Sequence, residues 1–277
     1  MLEEFRVLVR GGGDLASGVI YRLHRVGFRV MVIELAQPTV IRRAVAFAAA
    51  MFEDVVEIEG VVGRRVDSLE QALPVLTAGE VPVMVDPLGE TISRWGPDAL
   101  VDAILAKRNF GTTINDAPIV VGLGPGFVAG VDVHAVVETK RGHYLGRVIL
   151  EGSAVPDTGI PGEVMGHTVE RVLRAPRSGI LQGTKRIGDE VKAGEIMAQV
   201  DGEPVIANID GVLRGLLAGG LGVTKGMKVG DVDPRSIRDH CFSISDKALA
   251  IGGGALEAIL YLHRSSCEQR PPASEGL

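Results

Sequence analysis

Cysteine is scarce in this sequence, and Cys241 and Cys267 are its only two examples among 277 residues. Two cysteines do not make the disulfide framework that stabilises many secreted domains. The N-terminus also lacks the pattern of a signal peptide, and no apolar run is long enough to indicate a membrane span. We therefore expect a cytoplasmic protein with reduced thiols and no membrane partner.

The sequence also has no net positive charge and few aromatic side chains. The net charge is −6, so no overall positive field attracts nucleic acid or an acidic membrane surface. Aromatic residues make up 4% of the chain while glycine contributes 37 residues, which is typical of a tightly turned chain rather than a helical bundle. Small molecules and other proteins are the expected partners.

What the sequence does have is length and apolar content. Hydrophobic residues make up 46% of the chain, enough for a sizeable core. A chain of 277 residues exceeds the usual size of one hydrophobic core. We therefore expect two domains, and one elaborate domain is the alternative.

A glycine-rich turn near the N-terminus organises the rest of the chain. It follows an apolar run at 5–9 and opens a segment with helical periodicity. A strand that enters such a turn and starts a helix directs backbone N–H groups and the positive end of the helix dipole at one spot, which suits a phosphate. Gly11, Gly13 and Ala16 fit G-x-G-x-x-G/A, and Glu34 ends the next strand about twenty residues on, where a ribose-binding acid is expected. The alternative is that the glycines only let the helix pack closely on its strand. The predicted binding residues are Gly11, Gly12, Gly13, Asp14 and Glu34.

Strands and helices alternate after this turn. Such alternation, with the phosphate turn after the first strand, predicts a parallel sheet wound on both faces, a Rossmann-like α/β domain. The predicted strands are 5–9, 28–33, 55–58, 82–85 and 119–121, and the predicted helices after the first are 39–51, 68–76 and 99–106.

Two further stretches follow predicted strands. In a parallel sheet, ligands bind beyond the carboxyl ends of the strands, so both stretches are expected near the glycine turn. Asp86 is a candidate to bind a ligand hydroxyl or a metal, and capping of the next turn is its alternative. Gly124 and Gly126 are candidates to bind an anion through their N–H groups, and a simple tight turn is their alternative.

From Asp132 the pattern changes to period two and predicts an antiparallel hairpin. Asp132 and His134, two apart on a strand, share a face, as two metal ligands would. A third ligand is not obvious, and an exposed hairpin face is commonly polar. We assign no metal site.

An internal repeat predicts the second domain. The run at 178–183 is echoed at 210–215. Two copies of a small strand-turn-strand unit can bury their apolar faces against each other. Their order resembles the biotinyl/lipoyl carrier fold, an all-β barrel-sandwich. The hairpin that presents the modified lysine in those carriers is 200–205 here and contains no lysine. We therefore expect a docking or lid module without a covalently attached cofactor.

A C-terminal helix over about 240–265 is expected to complete the first domain. Cys241 stands before this helix beside His240, a setting that lowers a thiol pKa. We take Cys241 as the candidate catalytic residue, with a small buried hydrophobe as the alternative. The predicted division is a Rossmann-like domain at 1–130 completed by 240–265, a hairpin and connector at 131–166, a barrel at 167–236 and a flexible tail at 266–277.

Six motifs are distributed over essentially the whole chain. They are Arg10-Gly11-Gly12-Gly13-Asp14, Gly122-Leu123-Gly124-Pro125-Gly126-Phe127, Asp132-Val133-His134, Arg141-Gly142-His143, Asp231-Val232-Asp233-Pro234-Arg235 and Ser245-Asp246-Lys247. Together they resemble the YqeB-type family. Members of that family are accessory proteins of selenium-dependent molybdenum hydroxylases and are distantly similar to the chaperones that mature xanthine dehydrogenase.

The resemblance implies an accessory role in the maturation of these hydroxylases. In that role the chain binds molybdopterin or a dinucleotide for delivery or modification and contacts the hydroxylase as its client. The alternative is an NAD(P)-dependent oxidoreductase that uses the same turn and Glu34, although no dehydrogenase-like catalytic acid, base or lysine stands out. A third reading is a scaffold whose glycine turn is purely structural. A homo-oligomer is compatible with all three.

Overall fold

The computed structural model describes residues 4–157, 159 and 162–268, and for 266–268 it describes the backbone only. The tail predicted at 266–277 therefore falls, from 269 on, outside the described residues. Within the described ranges, no helix is both long and apolar enough to cross a membrane.

A nine-stranded sheet forms the larger unit, in the order β3-β4-β5-β2-β1-β6-β7-β8-β9. Its central strands are short apolar runs buried on both faces, as parallel strands covered by helices usually are. Their bounds are Arg6–Arg10 (β1), Arg29–Glu34 (β2), Val55–Ile58 (β3), Val61–Val66 (β4), Val81–Val85 (β5), Ala99–Asp102 (β6), Ile119–Leu123 (β7), Ala135–Val137 (β8) and Val148–Ile149 (β9).

This sheet contains both parallel and antiparallel strand pairs. The prediction of a Rossmann-like parallel sheet for the first domain is therefore wrong. The seven strands from β4 to β8 in the sheet order run parallel, but β3 pairs with β4 and β9 pairs with β8 in the antiparallel sense. The β3–β4 pair is a hairpin because Glu59 and Gly60 both adopt positive φ, at 49° and 82°, the conformation of a tight two-residue turn. The sequence prediction took β3 as a crossover strand and missed β4.

The second unit consists of two four-stranded antiparallel sheets, so the predicted lipoyl-like barrel is also wrong. Among the described residues, no hydrogen-bonded strand pair joins the two sheets into a barrel. The repeated runs are real, but one copy contributes β11 to one sheet and the other contributes β15 to the second sheet. The sheet β10-β17-β15-β12 has the bounds Val172–Arg174, Lys228–Asp233, Gly211–Leu216 and Glu190–Val191, and the sheet β14-β13-β11-β16 has Glu203–Ile206, Ile196–Val200, Gly179–Gly183 and Gly222–Val223.

Helices cover both faces of the large sheet. Alternate residues of each central strand point to opposite faces, so Val7 and Val9 join a core with α1 and α5 while Leu8 joins a core with α3 and α4. Helix α5 packs against α1 and against β7 and β8. The helices are Asp14–Arg25 (α1), Ala50–Glu53 (α2), Leu69–Thr77 (α3), Glu90–Trp95 (α4) and Asp246–Glu268 (α5).

Two predicted helices are not formed. The segment 99–106 begins instead with the buried strand β6, since a short apolar run has no periodicity that separates strand from helix. The segment 39–51 is replaced by two 3-10 turns and the short α2. Its first residues are hydrogen-bonded to β15 instead. Leu216 N donates to Ile41 O at 2.9 Å, and Arg43 Nε donates to Leu216 O at 2.8 Å.

An ion pair between Arg141 and Asp246 joins the β8–β9 connection to the start of α5. Hydrogen bonding from Arg141, at 2.6 and 3.0 Å, lowers the pKa of Asp246 from 3.8 to about 2. An acid with a depressed folded-state pKa stabilises the fold above its unfolded pKa and loses that contribution as the pH falls through the folded value.

We expect Asp246→Asn to be less stable than the wild type at pH 6, with the difference vanishing between about pH 4 and pH 2. Both side chains are more than half exposed, so solvent screening keeps the effect below about 1 kcal/mol. Urea unfolding at a series of pH values measures it, and Arg141→Gln should show the same pH dependence. A stability difference that stays constant from pH 6 to pH 3 would contradict the role of this pair.

Candidate functional site

A cavity of about 700 Å³ opens at the carboxyl ends of β1, β2, β5 and β6. Strand β1 is central, and the chain leaves it toward β2 on one side and later returns to β6 on the other side. This is the point of an open α/β sheet at which ligands bind, and the volume is ordinary for a small-molecule site. The residues around it include Arg10, Gly11, Gly13, Asp14, Glu34, Leu35, Arg42, Asp86, Leu88, Ile104, Phe110, Lys228 and Asp231.

The three glycines of the turn have different surroundings. Gly11 has φ +94°, and a Cβ there would lie 3.1 Å from Ala103 O. A Cβ on Gly12 would lie 2.8 Å from Ala48 N. These two glycines therefore permit close backbone packing. A Cβ on Gly13 would have no heavy atom within 4 Å, so Gly13 faces the open cavity.

The beginning of α1 is exposed to the same cavity. Gly13 is the N-cap residue, and no side chain accepts a hydrogen bond from the first turn. The first N–H groups of a helix have no partner within the helix, and with the helix dipole they form a site for an anion. The structure thus places the uncapped start of α1 at Gly13 and Asp14, and phosphate binding by these residues stays a prediction.

Arg42 adds a positive charge beside this helix start. Its side chain is 10% exposed, and Nη1 lies 3.3 Å from Asp14 Oδ2. Nη2 donates to the carbonyl oxygens of His240 and Ser243 at 3.1 and 3.2 Å, while Nε has no hydrogen-bond partner. Arg42 is not among the residues predicted from sequence, because the pattern at 39–51 predicts a helix that is not formed.

Glu34 lies at the end of β2, directly against the glycine turn. Its Oε2 accepts a hydrogen bond from Gly12 N at 2.8 Å, and its Oε1 accepts one from Leu35 N at 2.7 Å. Burial raises the pKa of Glu34, and the two backbone hydrogen bonds partly oppose that shift. Each carboxylate oxygen retains capacity for a second hydrogen bond, so Glu34 can hold the turn and accept from a ligand hydroxyl or N–H together.

Asp86 lines the cavity, but its oxygens cap the start of α4. They accept hydrogen bonds from the N–H groups of Gly89, Glu90 and Thr91 at 2.8, 3.1 and 2.7 Å. Burial alone would raise the pKa of Asp86, and the hydrogen bonds from this turn outweigh it and hold the pKa below its usual value. These contacts are those of the turn cap that was the alternative role for Asp86. Ligand binding by Asp86 stays a prediction.

Gly124 and Gly126 are not among the residues around the cavity. Their turn follows β7, one strand beyond β6. Gly124 N donates to Val137 O at 2.9 Å, and a Cβ on Gly126 would lie 2.7 Å from the backbone of Arg108. The structure thus gives both glycines a packing role and does not bring them to the Gly11 turn.

Cys241 lies apart from the cavity at the end of a 3-10 turn, with its thiol completely buried. Its Sγ is 3.8 Å from Leu213 O, the carbonyl to which it donates. Burial raises the pKa of this thiol, with smaller opposing effects of Arg214 and Arg42. The expected lowering of the pKa is therefore wrong, and Cys241 is surrounded as a buried hydrophobe is.

The second unit contributes one wall of the cavity through β17. Asp231, 6% exposed, pairs with Arg171 through Oδ2 at 3.2 Å. Its Oδ1 has no hydrogen-bond partner and lies 3.8 Å from Lys228 Nζ, within ion-pair range only. Nothing in the local sequence predicts that these residues border the same cavity as the glycine turn, because their position there depends on how the two units pack.

No protein-family model matches the chain. The chain is 49% identical over 256 residues to a protein of Escherichia coli (strain K12) named "Uncharacterized protein YqeB", and the match covers 92% of this chain. It covers 47% of YqeB, so the chain spans about half the length of this relative. The chain is thus related to YqeB over most of its own length.

Solved structures are less similar. TcdA (CsdL) gives a TM-score of 0.37 at 13% identity, over 97% of this chain and 90% of TcdA. An aspartoacylase family protein from Mesorhizobium loti gives a TM-score of 0.28 at 11% identity, over 82% of this chain and 84% of its own. Scores this low define neither the fold nor the ligand of this chain.

Proposed function

We propose that the chain is an accessory factor for the maturation of selenium-dependent molybdenum hydroxylases. In this role its cavity binds a molybdopterin-type or other nucleotide cofactor for delivery or modification. The observation that carries the proposal is the uncapped start of α1, which opens through Gly13 into a cavity of about 700 Å³. The relationship to YqeB supports the motif resemblance, and the choice of hydroxylase maturation comes from that resemblance.

The donors and acceptors around the cavity fit such a cofactor. A pterin that carries a phosphate, or its dinucleotide form, presents an anionic group, and the N–H groups of the first turn of α1 are ready to bind one. Arg42 lies beside the same turn and supplies positive charge there. Glu34 provides an acceptor at the next strand, within reach of a hydroxyl or of a ring N–H. The chain's part is therefore to bind and orient the cofactor.

Equilibrium binding to the purified protein tests the cofactor role. We expect molybdopterin or one of its dinucleotides to bind saturably at one site per chain, and a hydroxylase subunit to copurify with the chain. NAD binding with hydride transfer would instead favour the oxidoreductase. Absence of binding by any of these molecules, together with absence of a hydroxylase in the copurified material, would contradict the proposal.

A further inference from the structure

Phe110 is an exposed aromatic residue at the edge of the cavity. The chain has few aromatic residues, yet this ring is 46% exposed and lines the cavity, with Ile104 and Leu105 as its apolar neighbours on the same wall. Leaving a large apolar ring in water is unfavourable. An aromatic ring kept at the edge of a small-molecule cavity is placed to contact a ligand.

One face of the ring is supported by a cation. The guanidinium of Arg108 lies over it, with the carbon Cζ 4.4 Å from the ring centroid. This separation is within the range of a cation–π contact. The contact favours one orientation of the ring, and Phe110 is among the residues around the cavity whereas Arg108 is not.

The backbone of Phe110 is fixed from beneath the cavity. Its carbonyl oxygen accepts a hydrogen bond from Arg10 Nη2 at 3.1 Å. Arg10 is itself buried, donates to Thr112 Oγ1 at 2.9 Å, and lies 3.7 Å from the buried carboxylate of Asp102. Asn109 closes the turn around Phe110, since it exchanges hydrogen bonds of 2.7 and 2.8 Å with the backbone of Thr112.

The loop that carries Phe110 also holds two residues in an unfavourable conformation. Leu105 and Lys107 have φ values of 59° and 63°, in the left-handed region that residues other than glycine seldom adopt. Such strain persists only where the surrounding structure imposes it, and it is concentrated at ligand-binding sites. The loop therefore combines strained backbone with an aromatic ring at the edge of the cavity.

We propose that Phe110 is a stacking platform for a planar heteroaromatic ring of the cavity's ligand. The proposal rests on the proposed function, because it takes the ligand's phosphate to lie at the start of α1. Phe110 follows β6 and Glu34 ends β2, and these strands flank β1 on opposite sides. The ring therefore occupies the β6 side of the glycine turn, and the part of the ligand that meets Glu34 occupies the β2 side.

Substitution of Phe110 tests the platform. Stacking of a base on an aromatic side chain, as measured by alanine substitution, corresponds to about a 5- to 150-fold change in affinity. We expect Phe110→Ala to weaken the ring-bearing probes molybdopterin, NAD and guanosine diphosphate by such a factor where they bind the wild type, and Phe110→Tyr to restore affinity. Inorganic pyrophosphate, which has no ring, should bind both proteins equally.

Phe242 provides a matched control. It is 41% exposed and carries Arg238 over its ring at 4.9 Å, but it is not among the residues around the cavity. Phe242→Ala should leave all affinities unchanged. A second readout is Phe110→Trp, whose fluorescence a stacked ring should quench, with the buried Trp95 as a constant background and Phe242→Trp as the unquenched comparison.

The outcomes separate the two proposals. Equal affinity of the wild type and Phe110→Ala for ring-bearing probes, or equal loss in Phe110→Ala and Phe242→Ala, would overturn the stacking platform and leave cofactor binding intact. If no probe binds the wild type, the proposed function fails and the platform fails with it.

Discussion

Replacement of Gly13 by aspartate is expected to weaken cofactor binding by at least about 10-fold while it raises the stability of the free protein. Gly13 is the N-cap of α1, has φ −65° and ψ 177°, and has open space where a Cβ would be. Aspartate fits this conformation and caps the free N–H groups of the first turn. The new cap and the reduced entropy of the unfolded chain should add about 0.5–1 kcal/mol to the free energy of unfolding.

The same carboxylate occupies the N–H groups that the phosphate needs and repels its charge. A hydrogen bond to a charged group is worth about 1.5–3 kcal/mol, so the loss of even one of them weakens binding by about 10- to 150-fold. Calorimetric titration and thermal unfolding of the same preparations measure both effects. Gly13→Ser, which caps without charge, separates the competition for N–H groups from the repulsion.

Retained affinity in Gly13→Asp would place the ligand's phosphate elsewhere. A fall in stability would contradict the open surroundings of Gly13. Because the two effects have opposite signs, a general disruption of the fold cannot imitate the expected result.

Replacement of Gly252 by alanine is expected to destabilise the protein, although alanine is the better helix former. Gly252 lies where α5 crosses α1, and a Cβ there would overlap the carbonyl oxygen of Gly18. A Cβ on Gly18 would in turn overlap the carbonyl oxygen of Ala248. Overpacking of this kind costs about 1–3 kcal/mol or more. Chemical denaturation of the purified variant measures the loss.

The neighbouring Gly253 supplies the control. It lies in the same helix, but a Cβ there would meet no heavy atom within 4 Å. Gly253→Ala should therefore stabilise the protein by up to about 1 kcal/mol through helix propensity alone. Equal effects of the two substitutions would contradict the close crossing of α1 and α5.

The strand before the glycine turn and the helix after it are predictable from sequence because their signals are local. An apolar run, a glycine-rich turn and a helical period follow one another, and α1 begins at Asp14 as the turn predicts. The fold class is not predictable in this way. Whether β3 is a crossover strand or half of a hairpin depends on two residues, Glu59 and Gly60, and whether the repeated runs share one sheet depends on pairing between distant strands.

In the candidate site, too, local signals predict some residues and distant contacts determine the others. The turn residues and Glu34 meet at the cavity because adjacent parallel strands end at the same edge of the sheet. The positions of Arg42 and Phe110 depend on tertiary contacts that no local signal predicts. Arg42 donates to the carbonyl groups of 240 and 243, and the carbonyl group of Phe110 accepts from Arg10. Gly124 and Cys241 carry recognisable local signals, but the structure uses one for packing and buries the other.

A crystal structure of the protein with its tightest-binding phosphate-bearing cofactor tests the central claim most directly. We expect a phosphate oxygen at about 2.7–3.2 Å from the amide nitrogens of the first turn of α1, within hydrogen-bond distance, with Gly13 against the ligand. A cofactor bound elsewhere, with the first turn of α1 uncontacted, would contradict the assignment of this cavity as the binding site.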